Sequence, residues 1–264
     1  MKQSAYLLQK RIFDIGLSLT GIVLTSPIIL PVMYLVWKQD KHNPFYVAER
    51  VGKDFKSFRM VKLRSMVKDA DSNCVDSTSI DDMRITPIGQ FIRRYKLDEL
   101  TQLWNVLIGD MSLVGPRPNV RRETDLYTIE ERQLLSVKPG ITDFASIVFS
   151  DEGEILSGQL DPDTAYNQLI RPGKSRLGLE YVHKRGFLLD IKILFMTLYS
   201  FYSRPKALKK NSALLAKIGA PSVLLKLALR DVPLEPDFPP GSNEIVKSRF
   251  IKPNQPDTLD GINQ

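Results

Sequence analysis

The sequence predicts a mainly helical α/β fold. A small globular domain with one β-hairpin follows an N-terminal re-entrant membrane hairpin, and interfacial amphipathic helices accompany it. Three observations lead to this prediction: an uncharged apolar run at residues 15–37, β-forming residues around a turn within 45–66, and apolar residues at helical spacing between 97 and 108. With 264 residues and 43% hydrophobic content, the chain can bury a sizeable core.

The apolar run from Ile15 to Trp37 is long enough to cross a bilayer. Pro27 and Pro31 interrupt it, and because proline removes a backbone donor and disfavours helix at the preceding residue, we expect a sharp bend at Ser26-Pro27. Basic residues flank the run on both sides, with Lys2, Lys10 and Arg11 before it and Lys38 and Lys41 after it. The positive-inside rule places both ends on the cytoplasmic side. Residues 1–41 are therefore predicted to form a re-entrant hairpin in which the Ser26 hydroxyl satisfies freed carbonyls.

Two other structures of this run stay open. A single membrane span with a proline kink fits its length and apolar character. A cleaved signal peptide fits less well, because the run is longer than a usual signal core and no A-x-A-like cleavage site ends it.

Composition restricts the chemistry. The net charge of +7 favours nucleic acid, anionic lipid or phosphorylated substrates as partners. Cys74 is the single cysteine, which excludes a disulfide framework and indicates a reducing, cytoplasmic setting. With only His42 and His183 besides, zinc sites and histidine-dependent triads are disfavoured. The sequence contains no P-loop and no GxGxxG motif.

The segment Phe45–Met66 predicts a β-hairpin around a Gly-Lys-Asp turn signal. Lys62 and Arg64 are two residues apart, so they share one face of the second strand. Cations in this arrangement can hold phosphates, and a solvated edge strand commonly carries the same pattern.

The stretch Tyr95–Pro118 contains the main candidate site. Asp98 and Glu99 begin an apolar-striped helix that Gly109 is expected to end. The positive end of the helix dipole favours anions there, which would keep Asp98 ionised and able to act as a nucleophile. Acidic residues also begin helices for electrostatic reasons alone.

Two arginines flank this helix. Arg93 ends a preceding predicted helix, where it either binds a phosphoryl oxygen or complements the helix C-terminus. Arg117 lies between Pro116 and Pro118, which restrict its backbone and suit a fixed contact to an anion; a surface turn has a similar composition.

Two segments follow the predicted globular domain of residues 42–202. Residues 203–232 intersperse lysine and arginine with Leu, Ala, Val and Ile, which predicts either a basic amphipathic segment on an anionic membrane or a solvated helix packed on the core. Residues 233–264 are rich in Pro, Asn and Asp and are predicted to be a disordered tail.

Together these stretches resemble the bacterial sugar transferase family, the monotopic phosphoglycosyl transferases that begin polyprenol-linked glycan assembly. The resemblance covers most of residues 10–197. Its motifs are KRIFDI at 10–15, Ser26-Pro27, ERVGK at 49–53, FRMVKLRSM at 58–66, LDELTQLWNVLIGDMSLVGPRP at 97–118, KPGIT at 138–142 and FLLDIKIL at 187–194. The ungapped stretch at 97–118 is by far the most specific.

The resemblance implies a two-step transfer at the cytoplasmic face of the bacterial inner membrane. Asp98 would attack the β-phosphate of a UDP-sugar and release UMP, and undecaprenyl phosphate would then take the sugar phosphate from the enzyme. Glu99 matches the acid that binds Mg²⁺, which proteins usually hold with carboxylates and substrate phosphates. The reaction would be the first membrane step of surface glycan assembly, as in capsule, exopolysaccharide or lipopolysaccharide synthesis.

Four basic residues receive implied substrate-binding roles. Arg93 matches the arginine that meets the lipid phosphate, and Arg117 matches the arginine of the PRP loop at the nucleotide end. Lys62 and Arg64 match a basic strand near the site.

The sequence departs from the family pattern at residues 143–147, which read DFASI where members commonly have Gly, then an aromatic residue or Leu, then Ala-Gln-Val. The motifs therefore assign no sugar. A second hypothesis is a catalytically inactive membrane-surface scaffold of a glycan assembly complex. A nucleic-acid partner is disfavoured by the long uncharged run, and a homo-oligomer stays open.

Overall fold

A computed structural model of the chain describes residues 2–70 and 77–247, with side chains from residue 4 onward. Cys74 and residues 248–264 lie outside the described residues. The helices are α1 (Lys2–Asp40), α2 (Pro87–Arg94), α3 (Leu97–Leu100), α4 (Leu103–Ile108), α5 (Arg121–Thr124), α6 (Phe144–Val148), α7 (Glu152–Ile155), α8 (Pro162–Ala165), α9 (Arg171–Lys184), α10 (Phe187–Tyr202), α11 (Arg204–Lys217) and α12 (Ser222–Leu229). Short 3₁₀ segments at Lys53–Phe55 and Glu131–Ser136 and a π-helix at Tyr166–Ile170 connect them.

The strands form two small sheets, so the mainly helical prediction is confirmed. β1 (Phe45–Val51) pairs antiparallel with β2 (Ser57–Leu63), which confirms the predicted hairpin. β3 (Ser112–Val114) and β4 (Gly140–Thr142) form a short parallel pair.

The helix α1 runs without interruption through Pro27 and Pro31, whereas the sequence predicted two helices broken at Ser26-Pro27. The local chemistry explains the continuity. Proline at position 27 leaves the Val23 carbonyl without its helical donor. The Ser26 hydroxyl donates to that carbonyl at 2.8 Å, which is the role the sequence predicted for it, although it preserves the helix instead of ending it.

Both ends of the apolar run are fastened to the globular part. Asp14, near the start, is buried and accepts a hydrogen bond from the Leu113 backbone N–H at 3.1 Å. Asp40, at the end, forms an ion pair with Arg64. Between them, Val32 and Val36 pack in a small cluster with residues of β2, α2 and α3.

The opposite face of α1 is exposed and apolar. Leu24 is 71% exposed, and residues such as Leu8, Val23 and Leu30 lie on the same open side. Within the described residues, α1 is the one helix long and apolar enough to cross a membrane, and little of its apolar stretch is buried in the protein.

The short helix α6 lies at the centre of the main core. It contacts α9, α10, α11, α12 and β4. Its residues Phe144, Ile147 and Val148 are almost fully buried. Because β4 leads directly into α6, the core fixes the position of the segment that departs from the family pattern.

The predicted basic segment 203–232 forms α11 and α12. Of the two structures that the sequence left open, it has that of helices packed on the core. Ala207, Leu208 and Leu215 on α11 and Leu224 on α12 are buried in the main core, while the lysines face outward. Arg204 and Arg230 both reach Asp151, at 2.8 and 3.1 Å, at the start of α7. The apolar face of this segment is thus covered by protein.

The described part of the predicted disordered tail, residues 233–247, lies against the domain. The Asp237 backbone N–H donates to the Gln168 carbonyl, and the Gln168 side chain donates to the Val246 carbonyl. Arg176 forms an ion pair with Asp237 and lies over the Phe238 ring. The partners are distant in sequence, so composition alone did not indicate them.

Candidate active site

The acid pair lies on α3, which is shorter than the helix the sequence predicted. Residues 101 and 102 separate α3 from α4 while keeping helical backbone angles. Lys96 precedes α3 in the left-handed conformation, with φ of 51°. Gly109 ends α4 with φ of 101°, as the sequence predicted, and donates to the Asn105 carbonyl at 3.1 Å.

Asn105 fastens α4 to the basic strand β2. Its side-chain oxygen accepts from the Val61 N–H at 2.9 Å, and its amide donates to the Arg59 carbonyl at 2.7 Å. Thr101 adds a hydroxyl bond to the Val61 carbonyl at 3.1 Å. These contacts bring Lys62 to Asp98, and the sequence analysis did not predict them.

Lys62 and Asp98 form the first charge pair of the site. Their Nζ and Oδ2 atoms are 3.9 Å apart. Burial, together with the charge of Arg117, lowers the pKa of Lys62 to about 8, although Asp98 and Glu99 oppose the shift. Burial raises the pKa of Asp98 against the attraction of Lys62, and the neighbouring Glu99 charge adds to the rise.

Glu99 and Arg117 form the second pair, with an Nη2 to Oε1 distance of 2.9 Å. Burial alone would raise the pKa of Glu99, but the charges of Arg117, Lys96 and Lys62 lower it. The two adjacent acids are therefore driven in opposite directions. Such a separation is typical of sites in which two neighbouring carboxylates have different tasks.

The backbone around Arg117 is held by the parallel sheet. The Gly140 N–H donates to the Pro116 carbonyl at 2.9 Å. A Cβ on Gly140 would lie 2.1 Å from the Gly115 nitrogen, so glycine is needed for this close approach. The PRP loop therefore presents Arg117 from a fixed position.

The other two predicted basic residues lie in different places. Arg93 is close enough for the charge of Asp98 to affect its pKa, which burial lowers, and its Nε donates to the Ser65 hydroxyl at 2.9 Å. Arg64 instead binds Asp40 at the end of α1. The structure thus pairs Lys62 and Arg117 with the acids, keeps Arg93 within electrostatic range of Asp98, and places Arg64 at a structural ion pair.

Glu152 is a charged neighbour that sequence reasoning missed. It forms an ion pair with Lys174, and the charges of Lys174, Arg117 and Lys62 lower its pKa despite its burial. Together with Glu99 it also raises the pKa of Arg117. The acidic character of residues 151–163 was the available signal, but a loop has the same composition.

The donor set fits Mg²⁺. Among the described residues, no group of three or more His, Cys, Asp or Glu side chains comes together as a complete metal cage. Magnesium is commonly held by one or two carboxylates and substrate phosphates, and an adjacent, partly accessible Asp98–Glu99 pair supplies oxygen ligands of this kind.

A cavity of about 190 Å³ opens beside Glu99. It lies between residues 141–150 and α10, and its lining includes Thr142, Ser146, Ser150 and Ser200. The segment that departs from the family pattern thus forms part of a cavity at the acid pair.

Curated relatives point to one kind of protein. A Bacillus subtilis (strain 168) protein named for undecaprenyl-phosphate N-acetylgalactosaminyl 1-phosphate transfer is 44% identical over 117 residues, covering 44% of this chain and 65% of that protein. The uncharacterized sugar transferase EpsL of the same organism is 35% identical, covering 71% of this chain and 84% of EpsL. The undecaprenyl-phosphate glucose phosphotransferase of Komagataeibacter xylinus is also 35% identical, covering 73% of this chain.

The matched region spans only 35% of the Komagataeibacter protein's length, so the relatives differ in size. The sequence model of one family, described as bacterial sugar transferase, matches residues 5–204. This match includes most of α1, both sheets and the acid pair with its basic neighbours. The chain belongs to the bacterial sugar transferase family.

Proposed function

We propose that the protein transfers a sugar 1-phosphate from a UDP-sugar to undecaprenyl phosphate and releases UMP, through an aspartyl phosphosugar intermediate. The observation that carries this proposal is the pair of adjacent carboxylates, Asp98 and Glu99, whose pKa values move apart among Lys62, Arg93 and Arg117. The names of the Bacillus and Komagataeibacter relatives support the lipid acceptor. Because those names differ in the sugar, no single sugar is proposed.

In the first step, an Asp98 carboxylate oxygen forms a bond to the β-phosphorus, and the bond from that phosphorus to the bridging oxygen of UMP breaks. In the second step, an oxygen of undecaprenyl phosphate attacks the same phosphorus and releases the Asp98 carboxylate. Asp98 must be ionised at the start, and the Lys62 ammonium at 3.9 Å stabilises that form. Positioning and charge neutralisation supply most of the catalysis in phosphoryl transfer.

We assign a different phosphate or ion to each of the surrounding charged residues. Glu99, with its lowered pKa, would hold Mg²⁺, which neutralises phosphate charge when bound. Arg117, fixed by the PRP loop and by Glu99, is placed to bind the nucleotide phosphate. Arg93 is proposed to bind the phosphate of the lipid, because it is near Asp98 and lies on α2, the helix that packs against α1.

The experiment that tests this function is a screen for UMP release from UDP-sugars by the full chain with Mg²⁺ and undecaprenyl phosphate. Release with at least one UDP-sugar is expected. Absence of release with every UDP-sugar would contradict the enzyme proposal and favour the inactive scaffold.

The pH dependence of the reaction is expected to report the charge of Lys62. Its pKa of about 8 means that the free protein loses this positive charge as the pH rises through 8, so kcat/KM should fall on the alkaline side. Lys62→Arg keeps the charge and should move the alkaline decline up by at least about one pH unit, because arginine stays protonated.

The control for this measurement is Lys56→Arg, at an exposed position on the hairpin turn. It should leave the pH profile unchanged. An alkaline decline at the same pH in wild type and Lys62→Arg would show that another group controls it.

We propose further that α1 enters and leaves the inner membrane on the cytoplasmic side, where the catalytic domain lies. The contacts of Asp14 and Asp40 with one globular part support this topology, because the ends of a simple span lie on opposite sides of the bilayer. Single cysteines at Ala5 and Gln39, introduced with Cys74→Ser, should therefore react equally with an impermeant maleimide in inverted vesicles. Opposite accessibility of the two positions would support a single span.

A further inference from the structure

The hydroxyl groups that line the cavity beside Glu99 differ in whether they can accept a hydrogen bond from a ligand or donate one to it. The Ser146 hydroxyl donates to Asp143 Oδ1 at 2.8 Å, and the Ser200 hydroxyl donates to the Thr197 carbonyl at 2.6 Å. Both hydroxyl protons are therefore engaged within the protein. The oxygen lone pairs of Ser146 and Ser200 are the groups that a ligand in the cavity can use.

The Ser150 hydroxyl can donate a hydrogen bond to a ligand, unlike those of Ser146 and Ser200. Its oxygen accepts a hydrogen bond from Arg204 Nε at 2.9 Å, so its hydroxyl proton is available to a ligand. The Thr142 and Thr197 hydroxyls are 2.7 Å apart, and Thr197 donates to the Ile193 carbonyl, so Thr142 donates to Thr197. The lining hydroxyls therefore offer several acceptors and one donor, and the side chains of Arg94, Lys96 and Glu99 add charged groups to the same cavity.

This pattern selects among the parts of the substrates. A phosphate offers acceptors and no donors at neutral pH, so it can pair with Arg94 and Lys96 in the lining but does not match Ser146 and Ser200. A polyprenyl chain offers neither, and covering these hydroxyls with hydrocarbon would leave their remaining hydrogen-bonding capacity unsatisfied. A sugar ring carries several O–H groups that both donate and accept, and Ile141 and Phe201 in the lining supply apolar surface for its C–H groups.

The location agrees with the chemistry. Glu99 borders the cavity and is adjacent to Asp98, and in the intermediate the sugar is one phosphate away from the Asp98 carboxylate. The segment 143–147, where the sequence departs from the family pattern, contributes Ser146.

We propose that this cavity receives the sugar ring of the nucleotide sugar, and that Ser146 and Ser200 help to determine which sugar is accepted. The inference rests on the proposed transferase function. Neither serine takes part in the bond changes at phosphorus. Each accepts a hydrogen bond from a hydroxyl or acetamido group of the ring.

The test compares kcat/KM for UDP-glucose, UDP-galactose and their 2-acetamido forms in wild type, Ser146→Ala and Ser200→Ala. For the preferred sugar, kcat/KM should fall about fivefold to tenfold in either variant, as expected for one lost hydrogen bond. The ratio of preferred to poorer sugars should fall with it, while the KM for undecaprenyl phosphate stays unchanged. Ser136→Ala is the control, because Ser136 is exposed and its hydroxyl binds the Gln133 carbonyl.

The outcomes separate the two proposals. UMP release by wild type with unchanged sugar ratios in both variants would overturn the sugar cavity and leave the transferase function standing. A rise confined to the KM for undecaprenyl phosphate would assign the cavity to the lipid and would also overturn the inference. No UMP release from any UDP-sugar would overturn the function, and the sugar cavity with it.

Discussion

Replacing the proposed nucleophile by Asp98→Asn is expected to lower UMP release by about a thousandfold or more, because the amide cannot form the phosphosugar intermediate. The fold should be retained, because the substitution keeps the size of the side chain. It removes the negative charge beside Lys62. With a UDP-sugar and no lipid acceptor, intact-protein mass spectrometry should show one added sugar phosphate on wild type and none on the variant.

The control is Asp125→Asn, which makes the same change at an exposed position of the domain. It should show wild-type release and a wild-type adduct. An adduct of equal yield on the Asp98→Asn protein would assign the nucleophile to another residue. Glu99→Gln tests the other acid, and we expect it to weaken the Mg²⁺ dependence of adduct formation.

Glu131→Gln is expected to destabilise the protein by about 3–5 kcal/mol, because it breaks a buried ion pair and leaves Arg171 without its counter-charge. Glu131 is 0% and Arg171 2% exposed. Arg171 Nε donates to Glu131 Oε1 at 3.0 Å, and the Ser175 hydroxyl donates to the same oxygen at 2.6 Å. The network joins the 3₁₀ segment at 131–136 to α9 and therefore supports the main core.

For a folded unit of this size, such a loss corresponds to a fall in Tm of roughly 6–20 °C. Thermal unfolding in detergent, followed by intrinsic fluorescence, measures it. The neighbouring Glu130→Gln is a matched control, since Glu130 is exposed and should change Tm little. Equal Tm values for the two variants would show that the buried pair contributes no net stability.

Local patterns predicted much of the fold and of the site. The β-hairpin, the end of α4 at Gly109 and the acidic start of α3 follow from turn residues, helix-ending glycine and apolar spacing within a few residues. The family resemblance gave substrate-binding roles to Lys62, Arg64, Arg93 and Arg117. Lys62 and Arg117 pair with the acids, whereas Arg64 pairs with Asp40. The mainly helical class followed from the same periodicities.

The features that the sequence did not predict depend on distant partners. Arg64 had the same local pattern as Lys62, and only the position of the C-terminal end of α1 places Asp40 next to it. The local sequence around Asn105 does not indicate its hydrogen bond with β2. Glu152 required α9 to bring Lys174. In α1, a single side-chain hydrogen bond at Ser26 offset the expected effect of Pro27.

The ion pairs of Arg204 and Arg230 with Asp151 attach the α11–α12 hairpin to the domain that contains the candidate site. The family match stops at residue 204, at the first residue of α11. Yet Arg230, on the far side of the α11–α12 hairpin, binds the carboxylate next to Ser150 of the cavity. A chain trimmed to the matched length would lose both α11 and α12 and expose the core that they cover. We therefore expect the unit that folds around this active site to extend beyond residue 204, where the family match ends.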